Sequence, residues 1–232
     1  MRFLLTLIND IRYQMKYGFY ILYTFISAVY IAVLLVCPTE YKRLAASLII
    51  LTDPAMLGTF FIGGIWLLEK QEGLHGFWGI SPLRPFEYIL SKAVSLALIS
   101  ILSANLIIVI GLREAYNFLL LTAGVFVSSM VFNLIGLMVA TYARSVNHYM
   151  LIVSPPMVIF SVPPILTAFG ITHPVMEIMP GTALWRTIGR SLGIADMSVW
   201  LWVVLLIWLG LVLYPANRRI PRAMLTEGGK AE

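Results

Sequence analysis

The sequence contains few charged residues and almost no cysteine. Asp, Glu, Lys and Arg make up 12% of its 232 residues, whereas 60% are hydrophobic and the mean hydropathy is +0.90. A soluble domain of this size could not bury so much apolar surface. Cys37 is the only cysteine, which excludes an intrachain disulfide and a cysteine-ligated metal cluster. The composition therefore predicts a helical protein that crosses a membrane several times.

Motifs of catalytic chemistry are also missing from the sequence. There is no GxxxxGK[ST] phosphate loop, so we expect no ATP hydrolysis by this chain. There is no GxSxG elbow, and the three histidines, His75, His148 and His173, lack HExxH spacing. Basic residues do not cluster with aromatic residues, which argues against nucleic-acid binding. We therefore expect a chain that is not an enzyme and that holds no metal or cofactor of its own.

Six stretches are long and apolar enough to span a bilayer, which takes roughly 20 residues. They cover residues 18–36, 44–68, 93–110, 118–142, 149–169 and 199–216. With the N-terminus inside, eleven of the 16 Lys and Arg residues fall on the cytoplasmic side and five on the outer side. The positive-inside rule therefore places both termini in the cytoplasm. The predicted fold class is an all-α membrane protein with six transmembrane helices.

The N-terminal segment, residues 1–17, predicts an amphipathic helix, because its apolar residues recur at spacings of three and four. One face holds Leu4, Leu7, Ile8, Ile11 and Met15, and the other holds Arg2, Asn9, Arg12 and Lys16. Such a helix is suited to lying in the cytoplasmic membrane interface. The alternative is a cytoplasmic extension of the first span.

Two of the predicted spans contain residues that interrupt helices. Asp53-Pro54 lies within the second span, and the fifth span contains Pro155-Pro156 and Pro163-Pro164. Proline removes a backbone donor and clashes with the preceding turn. Broken helices persist in membranes where protein or water satisfies the freed groups. We therefore expect the fifth span to be kinked and packed inside the protein.

Asp53 has two possible roles, because a carboxylate near the bilayer midplane costs roughly 2.5–3.5 kcal/mol on insertion scales. It could face a translocation path, or it could be a hydrogen-bonded residue that caps a helix resumed at Pro54. Further candidates for a pathway are Met56, Phe60, Asn133 and Phe160. Residues of these types also serve simple helix packing in membranes, and that alternative stays open for each of them.

Two connections carry more sequence than a simple turn needs. The outer stretch, residues 170–198, mixes apolar and polar residues and predicts a short helix or a re-entrant hairpin. The cytoplasmic stretch, residues 69–92, predicts a short helix over residues 69–78, in which Gly73 and Gly76 allow another surface to approach closely. Ser81-Pro82 and Pro85 then predict a rigid turn before the third span. The bulky Leu74, Phe77 and Trp78 favour contact with a soluble partner over a solvated connector.

The letters LLEKQEG followed by SPLRPFEYILSKAVSL resemble the cytoplasmic loop of ABC-2-type ABC transporter permeases. The matching residues are Glu69, Lys70, Glu72, Gly73, Pro82, Glu87 and Lys92. The opening MRFLLTLINDIRYQMKYGFYILY, together with that loop, is most similar to the permeases of fluoroquinolone exporters. The stretch GLHGFWGI departs from the family by being less polar after the glycine.

The resemblance implies a single permease domain over residues 1–232 of a prokaryotic plasma membrane protein, with an ABC-2 or type V exporter fold. Two permease chains, identical or related, would form a pathway for a hydrophobic drug-like or lipid-like substrate. Separate cytoplasmic ABC ATPase subunits would bind ATP and Mg and dock on the coupling loop, which we define as residues 69–92. The implied coupling residues are Glu69, Lys70, Glu72, Gly73, Leu74, Phe77, Trp78 and Pro82. The substrate would bind near the second and fifth spans.

Two alternatives to an ATP-driven exporter remain at this point. The first is an ion-coupled secondary transporter that uses Asp53. The second is a membrane anchor that recruits a cytoplasmic partner without transporting anything.

Overall fold

The computed structural model describes residues 2–76 and 83–228, with side chains described up to Met224. Within this part of the chain the helices are α1 Arg2–Lys16, α2 Phe19–Val36, α3 Thr39–Thr52, α4 Leu57–Gln71, α5 Pro85–Leu106, α6 Phe118–Ala140, α7 Val146–Ala168, α8 Pro174–Glu177, α9 Pro180–Ser191 and α10 Trp200–Gly228. Helix α5 continues into a π-helix over Ile107–Leu112. The predicted all-α fold class is confirmed.

The six predicted spans are confirmed as helices that are long and apolar enough to cross a membrane. Span 1 is α2, span 2 is α3 with α4, span 3 is α5 with the π-helix, and spans 4, 5 and 6 are α6, α7 and α10. Span 3 begins eight residues earlier than predicted, at Pro85 rather than residue 93. Proline suits a first helical position, and the Arg84 backbone N–H donates to the Glu87 carboxylate at 2.9 Å, which caps the start.

Span 6 is also longer than its apolar stretch. Helix α10 continues past residue 216 through Pro221 to Gly228. In this extension the Arg219 guanidinium lies 3.4 Å from the centre of the Tyr142 ring, and its Nε donates to the Thr141 hydroxyl at 2.8 Å. Hydropathy did not predict this part, because the arginines that stabilise it are not apolar.

Helix α6 lies at the centre of the bundle and packs against α4, α5, α9 and α10. Two small residues bring α4 and α6 close together. A Cβ placed on Gly136 would lie 2.5 Å from the Thr59 carbonyl oxygen, and one placed on Gly58 would lie 2.3 Å from Asn133 Oδ1. Only glycine permits this spacing. Gly136 and Gly58 therefore lie at a close contact between these two core helices.

Tyr149 of α7 fastens span 5 to this pair of helices. Its side chain is fully buried, and its hydroxyl donates to the Thr59 carbonyl and, at 3.4 Å, to the Gly136 carbonyl. A Cβ placed on Gly63 would lie 2.0 Å from Tyr149 Cζ. The ring therefore occupies the space that a side chain at residue 63 would need.

Span 2 is interrupted where the sequence predicted, between Thr52 and Leu57. Pro54 has no N–H, and the Leu57 N–H donates to the Asp53 carbonyl at 2.8 Å. Helix α4 resumes at Leu57 rather than at Pro54, and its N-cap is Met56, which makes no side-chain capping bond. Of the two alternatives for Asp53, the one in which it caps a helix resumed at Pro54 is therefore wrong.

Span 5 differs from the prediction. Helix α7 is continuous through all four prolines, and most of it is exposed within this chain. Its buried residues are Tyr149, Val153, Met157, Pro164 and Thr167. The prediction that span 5 packs inside the protein is therefore wrong for the single chain. Each proline still leaves one backbone carbonyl without its helical donor.

The outer connection contains α8 and α9, and almost every residue of α9 is buried. A Cβ placed on Gly181 would lie 2.2 Å from the Phe160 carbonyl oxygen, one of those freed by a proline. Trp185 donates through Nε1 to the Ser47 hydroxyl at 3.3 Å. At the other end of α9, the Asn117 N–H donates to the Ser191 carbonyl at 2.9 Å. Helix α9 therefore reaches into the bundle between α3, α6 and α7.

Candidate functional site

Helix α1 has three faces rather than the two that the sequence predicted. The apolar residues Leu4, Ile8 and Met15 are exposed, as are the polar residues Arg2, Asn9, Arg12 and Lys16. The third face holds Thr6, Asp10 and Gln14, spaced four residues apart, and it is buried against the protein. The face of α1 that packs against the protein is thus polar, and it places the Asp10 carboxylate inside the protein.

Asp10 belongs to a buried cluster of charges from three helices. Lys92 of α5 lies between two carboxylates, with Nζ 2.9 Å from Asp10 Oδ1 and 2.5 Å from Glu69 Oε1 of α4. These side chains are 1%, 7% and 3% exposed, respectively. The Ser91 hydroxyl donates to Asp10, and the Tyr88 hydroxyl donates to Glu69 at 2.6 Å. Buried charges are tolerated when they are paired and hydrogen-bonded in this way.

A second contact joins α1 to the end of α4 at the protein surface. The hydroxyls of Tyr13 and Tyr17 donate to the two carboxylate oxygens of Glu72. Burial raises the pKa of the Tyr13 phenol, and the carboxylates of Glu69 and Glu72 raise it further. The hydrogen bond to Glu72 raises the pKa of Tyr17. Both phenols are therefore neutral donors at any pH a cell experiences.

Gly73 ends α4 instead of extending it. Its φ is +71°, a left-handed conformation that suits glycine at a helix C-terminus. The prediction of one helix over residues 69–78 is wrong, because α4 ends at Gln71 and a helical turn resumes only at Leu74–Gly76. No described heavy atom lies within 4 Å of a Cβ placed on Gly73. Among the described residues Gly73 therefore redirects the backbone and has no close neighbour at its Cβ position.

His75 holds the resumed turn against the core. Its side chain is 2% exposed, and its ring lies 4.1 Å from the Trp66 ring, centre to centre. The sequence assigned no role to His75. Because Trp66 belongs to α4 and also packs edge-to-face on Tyr88 of α5, His75 connects the coupling loop to the adjoining ends of spans 2 and 3.

The predicted coupling residues therefore have different surroundings. Glu69 points inward to Lys92, Lys70 and Leu74 are half-buried, and Glu72 is exposed beside the two tyrosines. Phe77, Trp78 and Pro82 lie outside the described residues. A role of these residues in binding an ATPase stays a prediction.

A cleft opens beside the break in span 2. It has a volume of about 260 Å³ and lies between the α3–α4 junction and α7. Its lining residues are Thr52, Met56, Phe60, Ser154, Met157, Val158, Ser161 and Ile165. Among the described residues, no charged side chain lines this cleft. Two predicted pathway residues, Met56 and Phe60, thus meet one face of span 5 there.

The other three predicted pathway residues lie elsewhere. Asp53 is half-buried and faces the Tyr30 hydroxyl of α2. Asn133 is fully buried and donates through Nδ2 to the Ala93 carbonyl at 3.0 Å. This hydrogen bond joins two helices, as the packing alternative for Asn133 expects. Phe160 packs edge-to-face on Phe132 and Trp208. None of the three belongs to the cleft lining.

Sequence reasoning missed several residues of the buried charge cluster. Asp10 and Tyr88 were not candidates, and Lys92 entered only as part of the loop resemblance. The sequence contains a weak indication of this cluster, because Asp10, Glu69 and Lys92 are charged residues beside apolar stretches. Their pairing was not visible, because it joins residues 23 and 82 positions apart.

Comparison with known proteins points to one family. The model of the family described as "Fluoroquinolones export permease protein family" matches residues 1–223. Two relatives from two strains of Mycobacterium tuberculosis, both named fluoroquinolones export permease proteins, are each 27% identical to this chain over 192 residues. The aligned regions cover 82% of this chain and 81% of each relative.

Proposed function

The chain belongs to the fluoroquinolones export permease protein family, and we propose that it is the membrane subunit of an ATP-driven exporter for apolar, drug-like molecules. Family membership makes it a multi-pass membrane permease of an export system. The proposal adds three features: ATP hydrolysis by separate subunits, a pathway formed by two permease chains, and a substrate class.

The cleft beside the break in span 2 is the observation that carries this proposal. Its lining combines two methionines and a phenylalanine with three hydroxyl groups, from Thr52, Ser154 and Ser161. Thioether and aromatic side chains adapt to flat apolar molecules of different outline. Each hydroxyl donates to a carbonyl of its own helix, so its oxygen can accept a hydrogen bond from a ligand without the cost of a buried charge. The names of the relatives mention fluoroquinolones, whose flat aromatic core is the kind of surface that this lining favours.

The exposed surface of span 5 supports a second permease chain. The exposed residues Leu151, Ser154, Val158 and Val162 follow one face of α7, and the cleft opens on that face. Proline leaves the carbonyls of Leu151 and Ile159 without helical donors, a costly state against lipid tails. A second copy would cover this face and close the cleft from the open side.

The coupling loop supports a separate ATPase. Family resemblance assigns docking to this loop, and this chain connects it to spans 2 and 3 through buried contacts of Glu69 and His75. A partner that moves the loop would therefore move both spans. Because span 2 also forms one wall of the cleft, motion at the loop could change access to the substrate.

The test uses inverted membrane vesicles that contain this chain and a candidate ATPase subunit, with ATP-dependent accumulation of a fluoroquinolone as the readout. Ser154→Trp should fill the cleft and abolish accumulation while the protein stays folded. Leu206→Trp, on an exposed face of α10 away from the cleft, is the matched control and should transport normally. Normal transport by Ser154→Trp, or accumulation that does not require ATP, would contradict the proposal.

The proposed pairing of chains has its own measurement. In a Cys37→Ser background, Val158→Cys should form a cross-linked dimer in membranes, because Val158 lies on the exposed face of α7. Leu206→Cys should stay monomeric under the same oxidation. Equal cross-linking of both variants would indicate random collision and would remove the support for a dimer along span 5.

A further inference from the structure

The buried charge cluster contains two carboxylates for one ammonium group, and its members differ in how they are held. Glu69 and Lys92 come from α4 and α5, which the coupling loop joins. Tyr88 binds both of them, since its hydroxyl donates to Glu69 at 2.6 Å and its ring lies 4.7 Å from Lys92 Nζ. Without Asp10 these two residues would still form a neutral, hydrogen-bonded pair. Asp10 is therefore the member that can be removed without leaving a buried charge unpaired.

Helix α1 meets α5 through polar groups. Besides the contact of Asp10 with Lys92 and Ser91, Gln14 Nε2 donates to the Ser95 hydroxyl at 2.6 Å. Apolar contacts hold helices together by excluding water, whereas a polar surface can be solvated when it separates. The attachment of α1 to α5 thus depends on a few specific bonds, of which the one between Asp10 and Lys92 is charged on both sides.

The same helix also contacts the coupling loop. Tyr13 and Tyr17 bind Glu72 at the surface, and Asp10 reaches Glu69 through Lys92 in the interior. The two contacts lie on either side of Lys70 and Gln71, the last residues of α4. A helix held at both points follows any movement of the end of span 2.

We propose that Asp10 is a positioning residue whose bond to Lys92 makes α1 move as one body with the inner ends of spans 2 and 3 during transport. The inference rests on the proposed function, because it assigns α1 to the unit through which an ATPase would drive the spans. It goes beyond that function by giving α1 a mechanical role that depends on one carboxylate.

The first experiment compares Asp10→Asn with Arg12→Gln, which removes a charge from the exposed face of the same helix. Hydrogen exchange of the purified full-length chain, without any ATPase, should be about tenfold faster in α1 for Asp10→Asn, as loss of a charge-assisted bond predicts. Exchange in α6 should be unchanged, which reports an intact fold. In vesicles, fluoroquinolone transported per ATP hydrolysed should fall for Asp10→Asn and recover for Asp10→Glu. An unchanged ratio despite faster exchange in α1 would overturn the proposal.

A second experiment does not depend on weakening the protein. Gln14→Cys with Ser95→Cys, in the Cys37→Ser background, places two thiols on facing helices at positions whose native side chains are hydrogen-bonded. Because Cys is shorter than Gln, a reducible bifunctional thiol cross-linker spans the gap and should fix α1 to α5, and transport per ATP should stay the same before and after reduction. Loss of transport on cross-linking would mean that α1 must move relative to α5, which contradicts the proposal. If the unmodified chain does not transport at all, the proposed function fails, whereas the exchange result in α1 still decides whether Asp10 holds the helix.

Discussion

Adding one methyl group at Gly63 should destabilise the protein by displacing Tyr149. The added Cβ would lie 2.0, 2.2 and 2.5 Å from the Cζ, Cε1 and Cε2 atoms of the Tyr149 ring, whereas favourable carbon contacts lie near 3.5–4.0 Å. The ring cannot move freely, because it is fully buried and its hydroxyl is bonded to the Thr59 carbonyl. Gly63→Ala must therefore shift α4 or break that bond.

The expected size of the effect follows from known overpacking. Extra methylene groups in a packed core cost about 1–3 kcal/mol, and for 150–250 residues each kcal/mol lowers the melting temperature by roughly 2–4 °C. The clash alone should thus lower the melting temperature of Gly63→Ala by between about 2 and 12 °C. Alanine also favours helix over glycine by about 1 kcal/mol, which partly hides the clash. Gly64→Ala should show only this gain in helix propensity, because no described atom lies within 4 Å of a Cβ placed on Gly64.

The assay is thermal unfolding in detergent, followed by the monodisperse fraction after heating. Gly64→Ala should melt at or above the parent temperature and Gly63→Ala clearly below it. In a Tyr149→Leu background, Gly63→Ala should lower the melting temperature by less than it does in the parent, because the smaller side chain frees the space that the added methyl group needs. If Gly63→Ala and Gly64→Ala melt together, the close packing of spans 2 and 5 described above is incorrect.

Three further substitutions address the coupling loop and the break in span 2. Lys92→Met should lower the free energy of unfolding by about 3–5 kcal/mol, because Asp10 and Glu69 lose their buried cation, and Lys92→Arg should lose less; equal melting of both variants would count against the ion cluster. Gly73→Ala should reduce permease-stimulated ATP hydrolysis more than Gly73→Asn, because asparagine tolerates the left-handed backbone that costs alanine about 1–2 kcal/mol. Identical stimulation by the two variants would show that the conformation of this turn has no role. Asp53→Asn should retain ATP-driven export at all pH values tested, because an amide oxygen can still accept a hydrogen bond from the Tyr30 hydroxyl. Loss of export together with its pH dependence would favour an ion-coupled transporter instead.

Hydropathy and helical spacing were sufficient to predict the spans and the helix of α1. Long apolar stretches have few alternatives in a membrane, and the break at Asp53-Pro54 follows from the missing N–H of Pro54. The inward polar face of α1 was not predictable in the same way. Asp10 becomes a buried residue only because Lys92 lies opposite, and no local pattern reports a partner so distant in sequence.

Two segments differ from the prediction for different physical reasons. The helix predicted over residues 69–78 is interrupted because Gly73 adopts a left-handed backbone conformation, whereas its use as a point of close approach for a partner stays a prediction. The prolines of span 5 were expected to require internal packing, but α7 accommodates them while most of its surface stays exposed. Of the pathway candidates, Met56 and Phe60 line the cleft, because Met56 lies in the break of span 2 and Phe60 lies in the first turn of α4.

The lengths of spans 2 and 3 have a mechanical consequence. They contain 33 and 28 residues, and at 1.5 Å per residue span 3 is about 42 Å long, against a hydrocarbon core of about 30 Å. If Leu112 marks one boundary of this core, Lys92 lies about 30 Å away, at the opposite boundary. The residues from Pro85 to Ser91 then extend beyond the hydrocarbon core as a short lever. A tilt of about 10° around the membrane centre would displace Pro85 by roughly 4 Å, so small changes of angle inside the bilayer correspond to movements that a soluble partner can impose.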